Sequence, residues 1–334
     1  MNSLELLKKY CEAFGPSSAE SHIRSVIQET LQDSHQFITT THGHLIAFDP
    51  EAKGDKTIMF QAHMDELGFR PYRYMSDGYI ELSPASPIPE NASNQLLIFF
   101  PNMVLGILVI DKQERQHRYF LDIGAQTKEE ALERIPTYSN GAYKGGEFHE
   151  TPNFLCGKSF DDRAGCAVVS NLLLNQPRRN NRVIGVYTVR EESGNWPIPE
   201  LRYALLEAGL KPDLVVNVEV CPGGPTPLGV EPLAILGQGV ALTHMDLYYI
   251  SDSSICQFMV QLARKEKIKH QHMSERSGGG ELGAICNELG VTGYSLVIPG
   301  RYMHSPHSVI SRNDYETAIE MVHAIARSGD ILRK

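Results

Sequence analysis

The chain has little of what would mark it as a redox, nucleic-acid-binding or membrane protein. Its six cysteines (Cys11, Cys156, Cys166, Cys221, Cys256 and Cys286) contain no C-x-x-C pair. That excludes a zinc ribbon and a thioredoxin-type site, and leaves small buried hydrophobes of a reducing compartment. There is no basic excess: 31 Lys and Arg stand against 40 Asp and Glu, a formal charge of -9. A mildly acidic surface is a poor match for phosphate backbones, so no nucleic-acid partner is expected. The longest apolar stretches, near Leu96–Phe100 and Met103–Ile110, fall well short of the roughly 20 residues of a spanning helix, so no membrane partner is expected. The first apolar stripe is broken by Lys8 and Lys9, which does not read as a signal peptide. Repeats and low-complexity tracts are missing too. The location expected is the cytoplasm. What remains is an ordinary globular composition, 42% hydrophobic and 21% charged over 334 residues. That length holds one large domain or two unequal ones and buries a substantial core.

Periodicity supplies the elements. Leu4, Leu7 and Cys11 fall at helical spacing. Ser17 with Glu20 resembles a capping box ahead of Ile23, Val26, Ile27 and Leu31. Apolar runs at Leu45–Phe48, Thr57–Ala62, Val183–Val189, Leu214–Val220 and Thr292–Ile298 read as buried strands. Helical patterns at Ala164–Leu174, Ser251–Lys267 and Asn313–Arg327 lie among them. Strands alternating with helices predict a mixed, largely parallel α/β sheet flanked by helices. From about Arg70 to Leu155 the texture changes. Proline is frequent, β-like runs are short (Tyr79–Leu82, Val104–Ile110, Arg118–Ile123), and one stretch is helical, Lys128–Arg134. This predicts a smaller β-rich domain at 70–155 inserted into a domain made of 1–69 and 156–334.

Acids and histidines gather where the predicted core strands end. One strand runs into Ala62-His63-Met64-Asp65-Glu66-Leu67-Gly68, another into Arg190-Glu191-Glu192-Ser193-Gly194, a third reaches Glu219, and the last leads to His304. A loop before a helix carries Ser159-Phe160-Asp161-Asp162-Arg163-Ala164-Gly165. Open α/β sheets bind ligands beyond the carboxyl ends of their strands. Two imidazoles and three carboxylates delivered there suit a pair of divalent cations such as Zn²⁺, Co²⁺ or Mn²⁺. One carboxylate would bridge cations roughly 3.5–4 Å apart. Each motif alone has a plainer reading: a hydrogen-bonded strand-end His, a solvated Glu pair, an N-cap with a local ion pair. Their joint occurrence favours metal, because carboxylates directly after apolar strands are costly to bury unpaired.

The order HxDExG, DDRxG, EExG, a strand-end acid and RYxHSP resembles the M-forty-two metallopeptidases, the glutamyl, deblocking and TET aminopeptidase group, some of which carry an endoglucanase label. The resemblance covers nearly the whole chain and is faint in the insert. It implies that His63 binds one metal, Asp161 bridges, Glu192 and His304 hold the second metal, and Glu219 completes the first site. Glu191 is then the general base and Asp65 orients His63. It implies two metal ions, zinc first with cobalt or manganese as alternatives. A water shared by the metals would be the nucleophile against the first peptide bond of a peptide substrate. It also implies that the β-rich insert serves as dimerisation or lid domain, giving a homo-oligomer, dimer or dodecamer. Asp65, two residues beyond His63, is placed to accept the second imidazole N–H. A turn at Glu191-Glu192 would send one side chain to metal and the other to the water. A metal-dependent deacylase of N-acyl amino acids and a non-catalytic metal-binding assembly protein are the alternatives.

The chain departs from the family pattern at Glu219, usually Asp, at Asn195–Pro199, at Cys221–Pro225, and at Gly278–Glu281 in place of Gly-Gly-Thr-Asp. Substrate-binding residues stay undefined. Gly278–Gly280 lacks the Lys-Ser/Thr of a phosphate loop, and Ser305 beside His304 lacks a nucleophile elbow. His42 and His44, like His270 and His272, read as structural or solvated for want of a suitably placed carboxylate. Trp196 lines a cleft or packs.

Overall fold

The computed structural model describes residues 2–89, 92–113, 117–145, 147–175, 180–226, 232–276, 278–329 and 331. Two β-structures organise them: a large sheet and a small barrel. The sheet has eleven strands among the described residues. At its centre Arg182–Thr188, Thr57–His63, Leu214–Pro222 and Thr292–Arg301 lie side by side and parallel. The parallel order expected holds in this centre, while the flanks run antiparallel: Leu45–Phe48 and Gln36–Thr39 on one side, Ser308–Ser311, Phe154–Gly157 and His149–Glu150 on the other. Val240–Met245 and His270–Ser274 branch from Thr292–Arg301.

The central strands are near-continuous apolar runs because helices cover both faces. Ile58, Phe60 and Ala62 point to one side, into a core with the helices Ser3–Glu12, Ser21–Leu31, Phe160–Leu174 and Arg312–Arg327. Met59, Ile184, Val186 and Val215 point to the other, under Ile198–Glu207 and Leu282–Leu289. The helix Phe160–Leu174 is buried almost all round, as a central helix must be. Gly165 lets it approach the sheet: a Cβ there would collide with the Asp162 carboxylate and the Val218 carbonyl.

The small body is a closed antiparallel barrel of Phe69–Tyr74, Ile80–Pro84, Arg118–Asp122, Val104–Asp111, Leu96–Phe100 and Asn140–Tyr143. It has its own core, with Leu82, Leu97, Phe99, Leu108 and Leu121 inside, and closure leaves no strand edge open. The strand His149–Glu150, inside 70–155, and Phe154–Gly157, which begins inside it and runs past its end, pair in the large sheet. Among the described residues no helix is long and apolar enough to cross a membrane.

Two local expectations change, and one helix is added. The Ser17–Glu20 pair is not a capping box: the helix begins at Ser21 with no side-chain cap, because Ser17 donates to Asp65 (2.6 Å) and Glu20 accepts from the Ser18 amide (2.6 Å). A capping box does form at Asn2 and Glu5. His42 has a carboxylate partner after all, Glu200 at 2.8 Å, with His44 4.0 Å from the same carboxylate. That pairing joins residues 158 apart in sequence, which spacing could not reveal. The helix Ile198–Glu207 lay hidden behind Pro197 and Pro199, yet proline is compatible with a first helical turn.

Candidate metal centre

The parallel strands end together and hand their next residues to one edge. His63 closes Thr57–His63. Its Nε2 lies 2.9 Å from Asp161 Oδ1, 3.5 Å from Glu219 Oε1 and 3.9 Å from Glu191 Oε2. Its Nδ1 faces Asp65, 3.2 Å from the backbone carbonyl and 3.4 Å from the carboxylate. Asp65 is fully buried and does more than face His63. It accepts from the Ser17 hydroxyl (2.6 Å) and from the backbone amides of Glu191 (3.0 Å) and Glu192 (3.2 Å). Burial pushes its carboxyl up, but the bonds from His63, Ser17 and the Glu191 amide outweigh it and hold the group below the usual carboxylate range.

Those two amides belong to a turn. The strand stops at Thr188, Arg190 takes a positive φ of 65°, and Gly194 N–H closes on the Glu191 carbonyl at 2.9 Å. Strand alternation therefore does not govern Glu191 and Glu192. Glu191 turns to the His63 side, while Glu192 Oε2 sits 3.2 Å from His304 Nε2. His304 also stands 3.6 Å from Asp161 Oδ2, so the two oxygens of Asp161 face two different histidines. The other ring nitrogen of His304 is 2.8 Å from the carbonyl of Pro87, in a loop between barrel strands. With Nδ1 donating there, Nε2 is left as the lone-pair nitrogen toward the carboxylates.

Ligand atoms of Asp161, Glu192 and His304 all lie within 4.8 Å of one another, as do those of His63, Asp162 and Glu219. All seven residues singled out from the sequence thus meet at one place. Asp162 joins them, which its reading as a cap did not foresee. Its Oδ1 accepts from the Gly165 amide at 2.9 Å, and its Oδ2 is buried without a hydrogen-bond partner. Burial, then the neighbouring carboxylates, push Glu191 and Asp162 well above the usual range. Burial also raises Glu192 and Glu219, against the pull of His304 and His63 respectively. So dense a group of buried acids disfavours its own anionic state unless positive charge is added. Oxygen and imidazole donors with an orphaned carboxylate oxygen fit divalent cations, and the residues present suit two of them.

The remaining motif residues brace the site. Glu66 Oε2 accepts from Lys158 Nζ and Ser159 Oγ, both at 2.6 Å, and Oε1 accepts from the Gly15 amide at 3.0 Å. Arg163, fully buried, is 3.6 Å from Glu66 and donates to the carbonyls of Tyr10 (2.6 Å) and Ala13 (2.9 Å) at the end of the first helix. The brace grips both flanks of Asp161-Asp162. Glu66→Gln strands two buried cations without their counter-charge and is expected to cost about 3–5 kcal/mol of stability, read as a lower denaturation midpoint at unchanged slope. A loss within 1 kcal/mol would remove the brace.

A cavity of about 860 Å³ opens beside the acids. Trp196 both lines it and packs: its ring meets Tyr248 edge to face at 5.8 Å, and its Nε1 donates to the Glu191 carbonyl at 3.2 Å.

Residues 109–321 match the family described as M42 glutamyl aminopeptidase. A protein of Acetivibrio thermocellus with a provisional aminopeptidase name is 29% identical over 327 residues, covering 95% of this chain and 96% of its own. The lysyl aminopeptidase of Pyrococcus furiosus is 27% identical over 96% of each chain. The crystal structure of a TET aminopeptidase from the marine sediment archaeon Thaumarchaeota archaeon SCGC AB-539-E09 superposes with a TM-score of 0.88 at 25% identity, over 98% of each chain.

Proposed function

The chain belongs to the M42 glutamyl aminopeptidase family, and on that footing we propose that it is a dinuclear metallo-aminopeptidase with Glu191 as its general base. Membership makes it a metal-dependent hydrolase of N-terminal peptide bonds. The finer reading concerns its residues. His63 and Glu219 hold one cation, Glu192 and His304 the other, and Asp161 serves both. The observation that carries this is the single carboxylate of Asp161 with its two oxygens toward two histidines from different segments. The orphaned oxygen of Asp162 beside His63 and Glu219 adds an oxygen ligand on that side.

Two divalent cations, when bound, polarise the scissile carbonyl and make water acidic enough to attack near neutral pH. Zinc suits the donors first, with cobalt or manganese as alternatives. Glu191 takes the proton of the attacking water and returns it to the leaving amine, a task for which a buried carboxyl with a raised pKa is suited. Asp65 holds His63 and fixes the turn that aims Glu191. The free α-amine of the substrate docks against the remaining acids, which favours a peptide over an N-acyl amino acid, where that amine is blocked.

Incubation with a chelator is expected to abolish hydrolysis of aminoacyl-p-nitroanilides, and Zn²⁺, Co²⁺ or Mn²⁺ to restore it. Full activity in metal-free protein would refute the reading.

We further read the barrel as the oligomerisation domain and as a wall of the site. The cross-strand neighbours Leu96 and Ile107, with Leu105, leave apolar surface exposed on its outside, and its Pro87 touches His304. A monomeric mass of 37.2 kDa by light scattering would remove the oligomer. Six free cysteines fit the reducing cytoplasm.

A further inference from the structure

Beside the carboxylates the cavity continues along the sheet, and strand register builds its floor. Asn217 lies opposite Ser295, and Ser295 opposite Thr243, on three adjacent strands. Directly paired residues share a face, so the three side chains form a row. They are 3%, 5% and 4% exposed. Asn217 Nδ2 donates to Ser295 Oγ at 3.3 Å, while Asn217 Oδ1 and Thr243 Oγ1 are buried without a hydrogen-bond partner. Buried polar atoms are nearly always satisfied. Two orphans on the floor of one cavity point to a ligand that brings hydrogen-bond donors.

The walls and charge narrow the ligand. Val297 and Met273 are apolar neighbours of the row, and Trp196 with Tyr248 face the same space. The run Gly278–Gly280 keeps it open. A Cβ on Gly278 would crowd Glu275 and one on Gly279 would crowd Asp246, while one on Gly280 would come into contact with Glu191 and Glu219. The missing side chains join the catalytic acids to Asp246 and Glu275, which directly follow the strands Val240–Met245 and His270–Ser274. Both hydrogen bonds that Asp246 accepts, from the amides of Tyr248 and Tyr249, fall on Oδ1. The one Lys or Arg among the described lining residues, Arg301, lies over the rings of Phe154 and Tyr302 and donates to the Pro225 carbonyl.

We propose that this chamber receives the side chain of the substrate's N-terminal residue and selects a long cationic one, lysine or arginine. The proposal rests on the aminopeptidase reading above. Asn217 precedes Glu219 by two residues, about 7 Å along a strand, and an extended lysine stem spans about 6 Å from Cα to Nζ. The stem lies against Val297 and Met273, as amphipathic side chains bury their methylenes. The ammonium gives donors to Asn217 and Thr243 and sits in the field of Asp246 and Glu275. Norleucine has the same reach without donors, and glutamate brings the wrong charge.

The test is kcat/KM of the metal-loaded protein on lysyl-, arginyl-, norleucyl-, leucyl- and glutamyl-p-nitroanilides, with inhibition constants for free L-lysine and L-norleucine as a binding readout. Lysine or arginine is expected to exceed norleucine by roughly 10–100-fold, the range of hydrogen bonds to a charged group. The Asp246→Asn/Glu275→Gln double variant is expected to bring that ratio down about tenfold or more, and Thr243→Val, which leaves the loop untouched, to lower it as well. Norleucyl or glutamyl substrates equal to or better than lysyl, or a ratio that neither variant moves, would overturn the chamber's selectivity while leaving the aminopeptidase standing. No turnover of any of the five would instead overturn the aminopeptidase reading, and the chamber's role with it.

Discussion

Glu191→Gln is expected to lower kcat by about 10²–10⁴-fold, the usual worth of a positioned general base, with KM and metal content little changed. The expectation follows from how Glu191 is held. Its backbone does the structural work: the amide donates to Asp65, and the carbonyl accepts from Gly194 and Trp196. Its carboxylate, by contrast, faces His63 at 3.9 Å, beyond hydrogen-bond reach. Gln matches it in size and leaves the turn intact, so the loss should fall on proton transfer alone. A variant that keeps activity within tenfold of the parent, with both metals bound, would take the base role away from Glu191.

Asp161→Asn is expected to remove both activity and metal. Asp161 lies between His63 and His304, so an amide there weakens both cation positions together. Bound metal should fall below two ions per chain, and turnover below detection. Stability separates this from a folding defect. Without metal the variant should still fold, at a somewhat lower midpoint, because His304 and His63 outweigh burial and hold the Asp161 carboxyl well below the usual range, and the amide gives up those partners. The parent should gain stability when metal is added, as any ligand of the folded state provides, and the variant should gain much less. A variant that binds two ions and is stabilised like the parent would refute the shared position.

The sequence carried much of this because the chemistry sits at strand ends. Apolar runs mark buried parallel strands, and a His or Glu that breaks such a run is visible at once. Thr57–His63, Leu214–Pro222 and Thr292–Arg301 were legible for that reason, and the acids and histidines that follow them meet as expected. Elements near the sheet margin were harder. Val240–Met245 is only six residues with Thr243 and His244 among them, and His270–Ser274 is polar except for Met273, so neither shows the long apolar run of a buried strand. Leu282–Leu289 is only eight residues long, too short for a period to show.

Residue types and their order by themselves determined the α/β architecture, the small β-rich insertion and the meeting of two histidines with several acids. These depend on local patterning and on the rule that strand ends carry sites. Only the tertiary structure decided the partnerships across long separations: Asp65 holding the Glu191 turn, Glu66 bridging Lys158 and Arg163, Pro87 of the barrel against His304, and the buried row of Asn217, Ser295 and Thr243. Each is set by strand register or by a loop returning through space. Residues 52 to 217 positions apart become neighbours there, and no period along the chain encodes that.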